Sequence, residues 1–203
     1  MAFKNRLLIV VCFVALILIP LGSPAQNEQE AEGSRNDFKV TLLSLGSGSS
    51  RFTYERAFSK INSAEFTIGL IGLGWDWMND SDPHGLLTKF AFKWRLIPQS
   101  SSDSWLAGFY VKPELVVAAF RHKWLNQDSW GEIPEDPDRT NQVALLAETG
   151  YQLVLNWFVF DVYAGLGPSF GSGNPYNYFH SFMLLPKDGW LAFTAGFRLG
   201  VAF

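Results

Sequence analysis

WLAFTAGFRLGVAF, residues 190–203, alternates strictly. Leu191, Phe193, Ala195, Phe197, Leu199, Val201 and Phe203 fall on one face, and Ala192, Thr194, Gly196, Arg198, Gly200 and Ala202 fall on the other. A period of two marks a β-strand, whose successive side chains point to opposite sides. One face is greasy and the other is small or polar, so the two must meet different surroundings.

Seven earlier segments alternate in the same way: Phe38–Leu45, Arg51–Phe58, Ala64–Trp75, Leu87–Ile97, Leu106–Arg121, Gln142–Leu155 and Phe158–Phe170. Most approach the ~9–11 residues that a tilted strand needs to cross a bilayer, whereas globular strands average about five or six. The connections alternate too. Ser59–Ser63, Pro98–Ser104 and Leu155–Trp157 are compact. Gly46–Ser50, Asp76–Gly85, His122–Asn141 and Gly171–Gly189 are mostly longer and rich in Gly, Pro, Asn and Asp. Short periplasmic turns with long external loops are the outer-membrane pattern. An even number of strands closes without a free edge, which lipid demands because no water is there to satisfy one. The expected fold is all-β: an eight-stranded antiparallel up-and-down transmembrane β-barrel.

Alternation does not say which face points inward; a soluble lipocalin-like barrel has the same pattern inside out. Three features assign the faces. The apolar rows are bulky: Phe90, Phe92, Trp94 and Leu96, then Phe158, Phe160 and Val162, then Phe193 and Phe197. An eight-strand lumen is only wide enough to be filled by side chains, and this many aromatics would overfill it. The opposite rows set Lys89, Lys93, Arg95, Lys112 and Arg198 against Glu55, Glu65, Glu114, Glu148 and Asp161. Such a set can neutralise itself in a narrow polar core. Trp75 and Trp190 near the external strand ends, and Trp94, Trp105 and Trp157 near the periplasmic ends, fit two aromatic girdles. Gly150, Gly165, Gly167, Gly196 and Gly200 leave lumenal space for long neighbours. Pro113 removes a ladder donor and predicts a bulge or a locally unpaired position.

The N-terminus reads as a signal peptide, residues 1–25. Lys4 and Arg6 precede an apolar run Leu7–Leu21 broken by Pro20, and Ser23-Pro24-Ala25 supplies small residues before a cut ahead of Gln26. The run is short of the ~20 residues a spanning helix needs. Residues 26–36 are a polar periplasmic leader and residues 37–203 the barrel. Cleavage removes Cys12, the one cysteine, and with it any disulfide, thiol nucleophile or cysteine metal site. It also removes two of 16 Lys+Arg against 19 Asp+Glu, leaving a charge of about −5. That balance argues against nucleic acid as a partner.

KVTLLSLGSGSSRFTYERAFS (Lys39–Ser59), GFYVKPEL (Gly108–Leu115) and AETGYQLVL (Ala147–Leu155) resemble a family of small outer-membrane barrels common in Bacteroidota-type bacteria. That family carries a domain of unknown function and is similar in plan to OmpA-type and OmpX-type barrels. The resemblance covers residues 38–203, with Tyr54-Glu55-Arg56, Gly150-Tyr151-Gln152 and the closing Phe203 as its marks. It implies the barrel fold and the outer membrane of a Gram-negative bacterium, and it brings no catalytic residues. A terminal strand ending on Phe203 resembles the assembly signal of such barrels, which implies the barrel-assembly machinery as a partner. No peptidoglycan-binding domain of the OmpA kind is expected.

The lumenal charges have two readings, a narrow ion path or a static plug. The plug is preferred, because breaking a buried pair typically costs ~3–5 kcal/mol and structure alone explains their presence. His84, His122 and His180 fall in or beside external loops, with Ser181 after His180 and Glu132, Glu135 and Asp136 in the neighbouring loop. A metal site or a lipid A-modifying His–Ser pair is the functional reading; solvated loop histidines are the plainer one. The acidic stretch Asp128–Asp138 lacks the ligand spacing of a Ca²⁺ loop, though it could bridge to lipopolysaccharide through divalent ions. Asn174–Leu185 (NPYNYFHSFMLL) is apolar and aromatic without alternation, and reads as a contact surface or as an extension of the flanking strands.

The expected protein is thus a small outer-membrane barrel with a structural or protein-interaction role, alone or as an accessory subunit of a larger envelope complex. Its expected surroundings are outer-membrane lipid and lipopolysaccharide. Catalytic residues, metal and cofactor are not expected. The alternatives are a narrow channel for small solutes or ions, and a lipid A-modifying enzyme at the external rim.

Overall fold

The computed structural model describes residues 33–76, 81–98, 104–123, 138–172, 183–185 and 190–203. Among these residues nine strands form one antiparallel sheet: β1 (Asn36–Thr41), β2 (Ser47–Ala57), β3 (Asn62–Asp76), β4 (Ser81–Pro98), β5 (Gly108–Lys123), β6 (Asp138–Leu155), β7 (Phe158–Ser172), β8 (Met183–Leu185) and β9 (Leu191–Ala202). Strands β1 to β7 pair in sequence, β7 pairs with β9, and β9 closes on β1. The wall is a closed eight-stranded up-and-down barrel. Strand β8 is a short addition against Leu191–Phe193 of β9.

Several strands outrun their apolar rows. Strand β4 begins at Ser81 and β6 at Asp138, each ahead of the first greasy position. Ladder hydrogen bonds need only backbone, so the β5–β6 hairpin continues through His122↔Asp138 after the hydrophobic alternation has stopped. The first strand goes the other way and stops at Thr41. The next residues form a single helical turn, α1 (Leu43–Gly46). Serine hydroxyls explain it: Ser44 Oγ donates to the Thr41 carbonyl at 2.7 Å and Ser47 Oγ to the Ser44 carbonyl at 2.9 Å. Local side-chain bonds of this kind compete with a ladder. The expected loop Gly46–Ser50 therefore lies partly in α1 and mostly in β2.

Because β1 is short, its seam with β9 holds only the register Asp37↔Ala202 to Thr41↔Arg198. Phe203 extends it by one rung: its N–H donates to the Asn36 carbonyl at 2.8 Å, and Asn36 returns a bond of 3.0 Å.

The fifth segment also differs from expectation. Leu106 lies outside β5, in a connection that crosses the end of the barrel. Trp105 N–H donates to the Ser34 carbonyl at 3.2 Å, beside β1 on the opposite wall. Gly108, at φ 135°, lets the chain turn back up into β5. A side chain there would also strike the Ile97 carbonyl, 2.3 Å from an ideal Cβ.

Pro113 has no rung on its β4 side, though it pairs with Ala147 of β6. The β4–β5 ladder runs Ala91↔Glu114, then Trp94↔Val111, in unchanged register but with no rungs between. The register shifts on this pair lie elsewhere, between Ser81 and His84 and between Arg95 and Ile97. Pro113→Val restores a donor worth about 1 kcal/mol net and relaxes the unfolded chain by a similar amount. The expected result is a new slowly exchanging amide at position 113, with unfolding free energy unchanged to within about 1 kcal/mol. An amide exchanging at the solvent rate would show that the gap has another cause.

Candidate functional site

Strand parity sorts the side chains. The bulky rows face outward: Phe90, Phe92, Trp94 and Leu96 on β4, and Phe160 and Val162 on β7, are all exposed. The charged rows face inward. Glu55, Glu65, Lys89, Lys93, Arg95, Lys112, Glu114, Glu148, Asp161 and Arg198 are all buried, none more than 4% exposed.

They join a lumenal network with two further inward-facing charges, Asp37 and Lys39 of β1. Lys39 Nζ lies 2.5 Å from Glu55, 2.8 Å from Glu65 and 3.2 Å from Asp37. Glu55 also accepts from Lys93 at 2.8 Å, Ser63 Oγ at 2.6 Å and the Arg95 guanidinium. Farther up the lumen, Glu114 receives Lys89 at 2.5 Å and Lys112 at 3.0 Å, and Glu148 stands 3.0 Å from Lys112. Glu65 bridges the two groups, touching Lys39, Lys93 and Lys112 and, at 3.2 Å, Arg198. Asp161 accepts from Tyr110 Oη at 2.6 Å and pairs with Arg198 at 3.3 Å. Gln152 donates to Asp37 at 2.6 Å and accepts from Lys93 at 2.7 Å.

The six acids Asp37, Glu55, Glu65, Glu114, Glu148 and Asp161 face the six bases Lys39, Lys89, Lys93, Arg95, Lys112 and Arg198. Arg51, a seventh buried base, lies farther along β2. These contacts are weak evidence of stability, since desolvation offsets much of the attraction. They are strong constraints on register. A one-residue slip sends every side chain of a strand to the other face. Each long tie, such as Lys93 of β4 to Glu55 of β2 or Arg198 of β9 to Glu65 of β3, would be lost by such a slip.

Two tyrosines and two glycines complete the packing. Tyr110 lies over Gly150, where an added Cβ would come within 2.5 Å of its hydroxyl. Tyr163 lies over Gly196 in the same way, at 2.9 Å. The rings carry cations on their faces: Lys93 Nζ is 4.0 Å from the Tyr110 centroid, and the Arg198 guanidinium is 4.1 Å from that of Tyr163. Gly165 makes room for Glu148 as the sequence suggests, whereas at Gly200 an added Cβ would meet the Phe38 carbonyl at 2.2 Å before Lys39 at 2.8 Å. At Gly167 it is the Leu145 backbone carbonyl that fills the space.

The lumen is not polar throughout. Above the charges, Ile71, Leu87, Val116, Ala118, Phe120, Ala144, Leu146 and Ala192 form a buried apolar layer. Below them, Ala57, Leu106, Ala107, Val154, Val159 and Ala202 form another. Leu87, Val116 and Leu146 share parity with Lys89, Glu114 and Glu148, so alternation alone could have placed them inside. Trp105 belongs with the lower layer. It packs half-buried against it, with the Arg35 guanidinium 3.8 Å from its ring, and so does not stand in an outward belt.

Of the other singled-out aromatics, Trp94 and Trp157 are exposed toward the Phe203 end and Trp190 at the other. Trp75 is the penultimate residue of β3, and its side chain lies outside the described residues. His84 is exposed on the outer face of β4. His122 falls within β5, but its side chain is outside the described residues, as are His180, Ser181, Glu132, Glu135, Asp136, the signal segment and most of Asp128–Asp138. Of Asn174–Leu185, only β8 is described, and it extends the sheet. Among the described residues no three His, Cys, Asp or Glu side chains are grouped to hold a metal ion. No protein-family model, no curated protein and no solved structure matches the chain.

Proposed function

We propose that the protein is a small outer-membrane β-barrel with a structural or protein-interaction role in a Gram-negative envelope, its lumen closed by its own side chains. The observation that carries this reading is the arrangement of the two faces: buried charges of both signs inside a closed wall, and bulky apolar rows outside it. On β5 the outward row runs Phe109, Val111, Pro113, Leu115, Val117 and Ala119 without a polar break. At ~3.4 Å per residue and a tilt of ~40° it is about 25 Å tall, the height of the apolar band on outer-membrane barrels. In water so large an apolar surface would drive association.

Exposed Trp94 and Trp157 near one edge, and Trp190 near the other, suit the two interfaces. Phe203 completes the seam with Asn36, so the wall has no open edge for water to satisfy. Against a channel stand the two apolar layers above and below a mutually paired ion cluster; a hydrated ion has to displace all three.

The test is outer-membrane fractionation with an unheated gel, followed by planar-bilayer recording. The expected outcome is a compact, faster-migrating form in the outer-membrane fraction and no discrete conductance steps. A soluble, heat-insensitive protein would sink the membrane reading, and regular unitary steps would replace the plug with a pore. Mass spectrometry of material co-purified from mildly solubilised membranes would then identify any stoichiometric partner.

A further inference from the structure

The upper edge of the apolar band ends abruptly on one side of the barrel. On β4 the outward residue above Leu86 is His84, on β5 the one above Ala119 is Arg121, and on β6 Arg139 stands above Asn141. The ladder aligns them: His84 is opposite Arg121, and Arg121 is opposite Arg139. All three are exposed. Residues directly opposite in an antiparallel pair have Cβ atoms roughly 4.5–5.5 Å apart, and like charges so placed are destabilising. Two arginines and a histidine in one row, across three strands, make a concentrated donor surface. Directly under the row, Leu86, Val117, Val143, Leu115 and Leu145 form an exposed apolar slope.

We propose that His84, Arg121 and Arg139 form a docking site for the phosphate groups of an outer-leaflet lipid whose acyl chains lie on that slope. The inference rests on the membrane reading above. Arginine suits phosphate because its planar fork donates two parallel bonds to neighbouring oxygens. An anion between Arg121 and Arg139 also removes their mutual repulsion. The apolar slope beneath selects a lipid over a free anion, since it can hold chains and inorganic phosphate has none.

The experiment is native mass spectrometry of the folded barrel in detergent, with a purified lipid A bearing two phosphates, the same lipid A after enzymatic dephosphorylation, and inorganic phosphate as separate probes. The unheated gel confirms that each sample is folded. The expected result is retention of the phosphorylated lipid at least about tenfold above the dephosphorylated one, with that preference lost in Arg121→Gln/Arg139→Gln. Ten-fold corresponds to one good interaction of about 1.4 kcal/mol. Both substitutions are on the outer rim, away from the lumen, and are expected to leave the gel shift intact; Arg121→Gln alone provides a milder second variant. Equal retention of the two lipids, or an unchanged preference in the folded double variant, overturns the proposal. So does displacement of the lipid by an equal concentration of inorganic phosphate. A barrel that binds no lipid but fractionates with the outer membrane refutes the site alone, whereas absence from that membrane refutes the wider reading.

Discussion

Glu65→Ala is expected to destabilise the barrel by about 3–5 kcal/mol, about a fifth or more of the ~5–15 kcal/mol that typically separates folded from unfolded protein. Glu65 stands among Lys39, Lys93, Lys112 and Arg198. Its removal leaves four cations converging on a small void and five acids against six bases. The cost comes less from the lost attraction than from the charge left buried without a partner. The urea midpoint of the compact form on unheated gels is the measurement. Glu65→Gln keeps the volume and an acceptor oxygen, so it is expected to fall between wild type and Ala. Glu65→Leu combined with Lys112→Met removes one charge of each sign and is expected to recover part of the loss. A Glu65→Ala midpoint equivalent to less than about 1 kcal/mol of change would mean that the cluster is hydrated and relaxes freely.

Gly150→Leu is expected to abolish the compact form altogether. An ideal Cβ at this position lies 2.4 Å from the Val162 carbonyl oxygen and 2.5 Å from Tyr110 Oη. The first of these atoms is backbone, on the neighbouring strand of the β6–β7 ladder. Relief therefore requires that the wall itself move, and removing the Tyr110 ring does not provide it. Gly196→Ala is a useful contrast, because each of the three nearest atoms is on the Tyr163 side chain, the closest at 2.9 Å. A ring can shift, so this variant is expected to fold with reduced stability, and Gly196→Ala/Tyr163→Leu to relieve the clash. Equal behaviour of Gly150→Leu and Gly196→Ala would show that the backbone contact is not what restricts position 150.

The eight wall strands were legible because a strand between two different media records both in its alternation. In β9, Phe193 and Phe197 face outward and Arg198 inward, as the period of two requires, and the same rule puts all ten singled-out charges inside. Where the alternation gave way to local hydrogen bonding, the reading failed. Leu43-Ser44-Leu45 continues the apolar-polar pattern of the first strand, yet serine hydroxyls bonded to nearby carbonyls fold it into a turn. Leu106 fits the parity of the fifth strand, yet it lies under the lumen because Gly108 redirects the chain. Asp37 falls just ahead of the expected first segment, whereas Lys39 lies within it and shares the inward parity of Thr41, so alternation alone suffices to place it inside.

By itself the sequence determined the class of fold, the number of wall strands and the side on which each charge lies. These are consequences of a two-residue period and of amphipathic rows, which every strand carries independently of its neighbours. Which acid meets which base was decided only by the tertiary structure. Lys93 and Glu55 lie 38 residues apart, and Arg198 and Glu65 133 apart, and no local pattern encodes their meeting. The same holds for the sealing of the lumen: Trp105 reaches Ser34 across the barrel's end only once strand order, register and closure have brought opposite walls within hydrogen-bond reach.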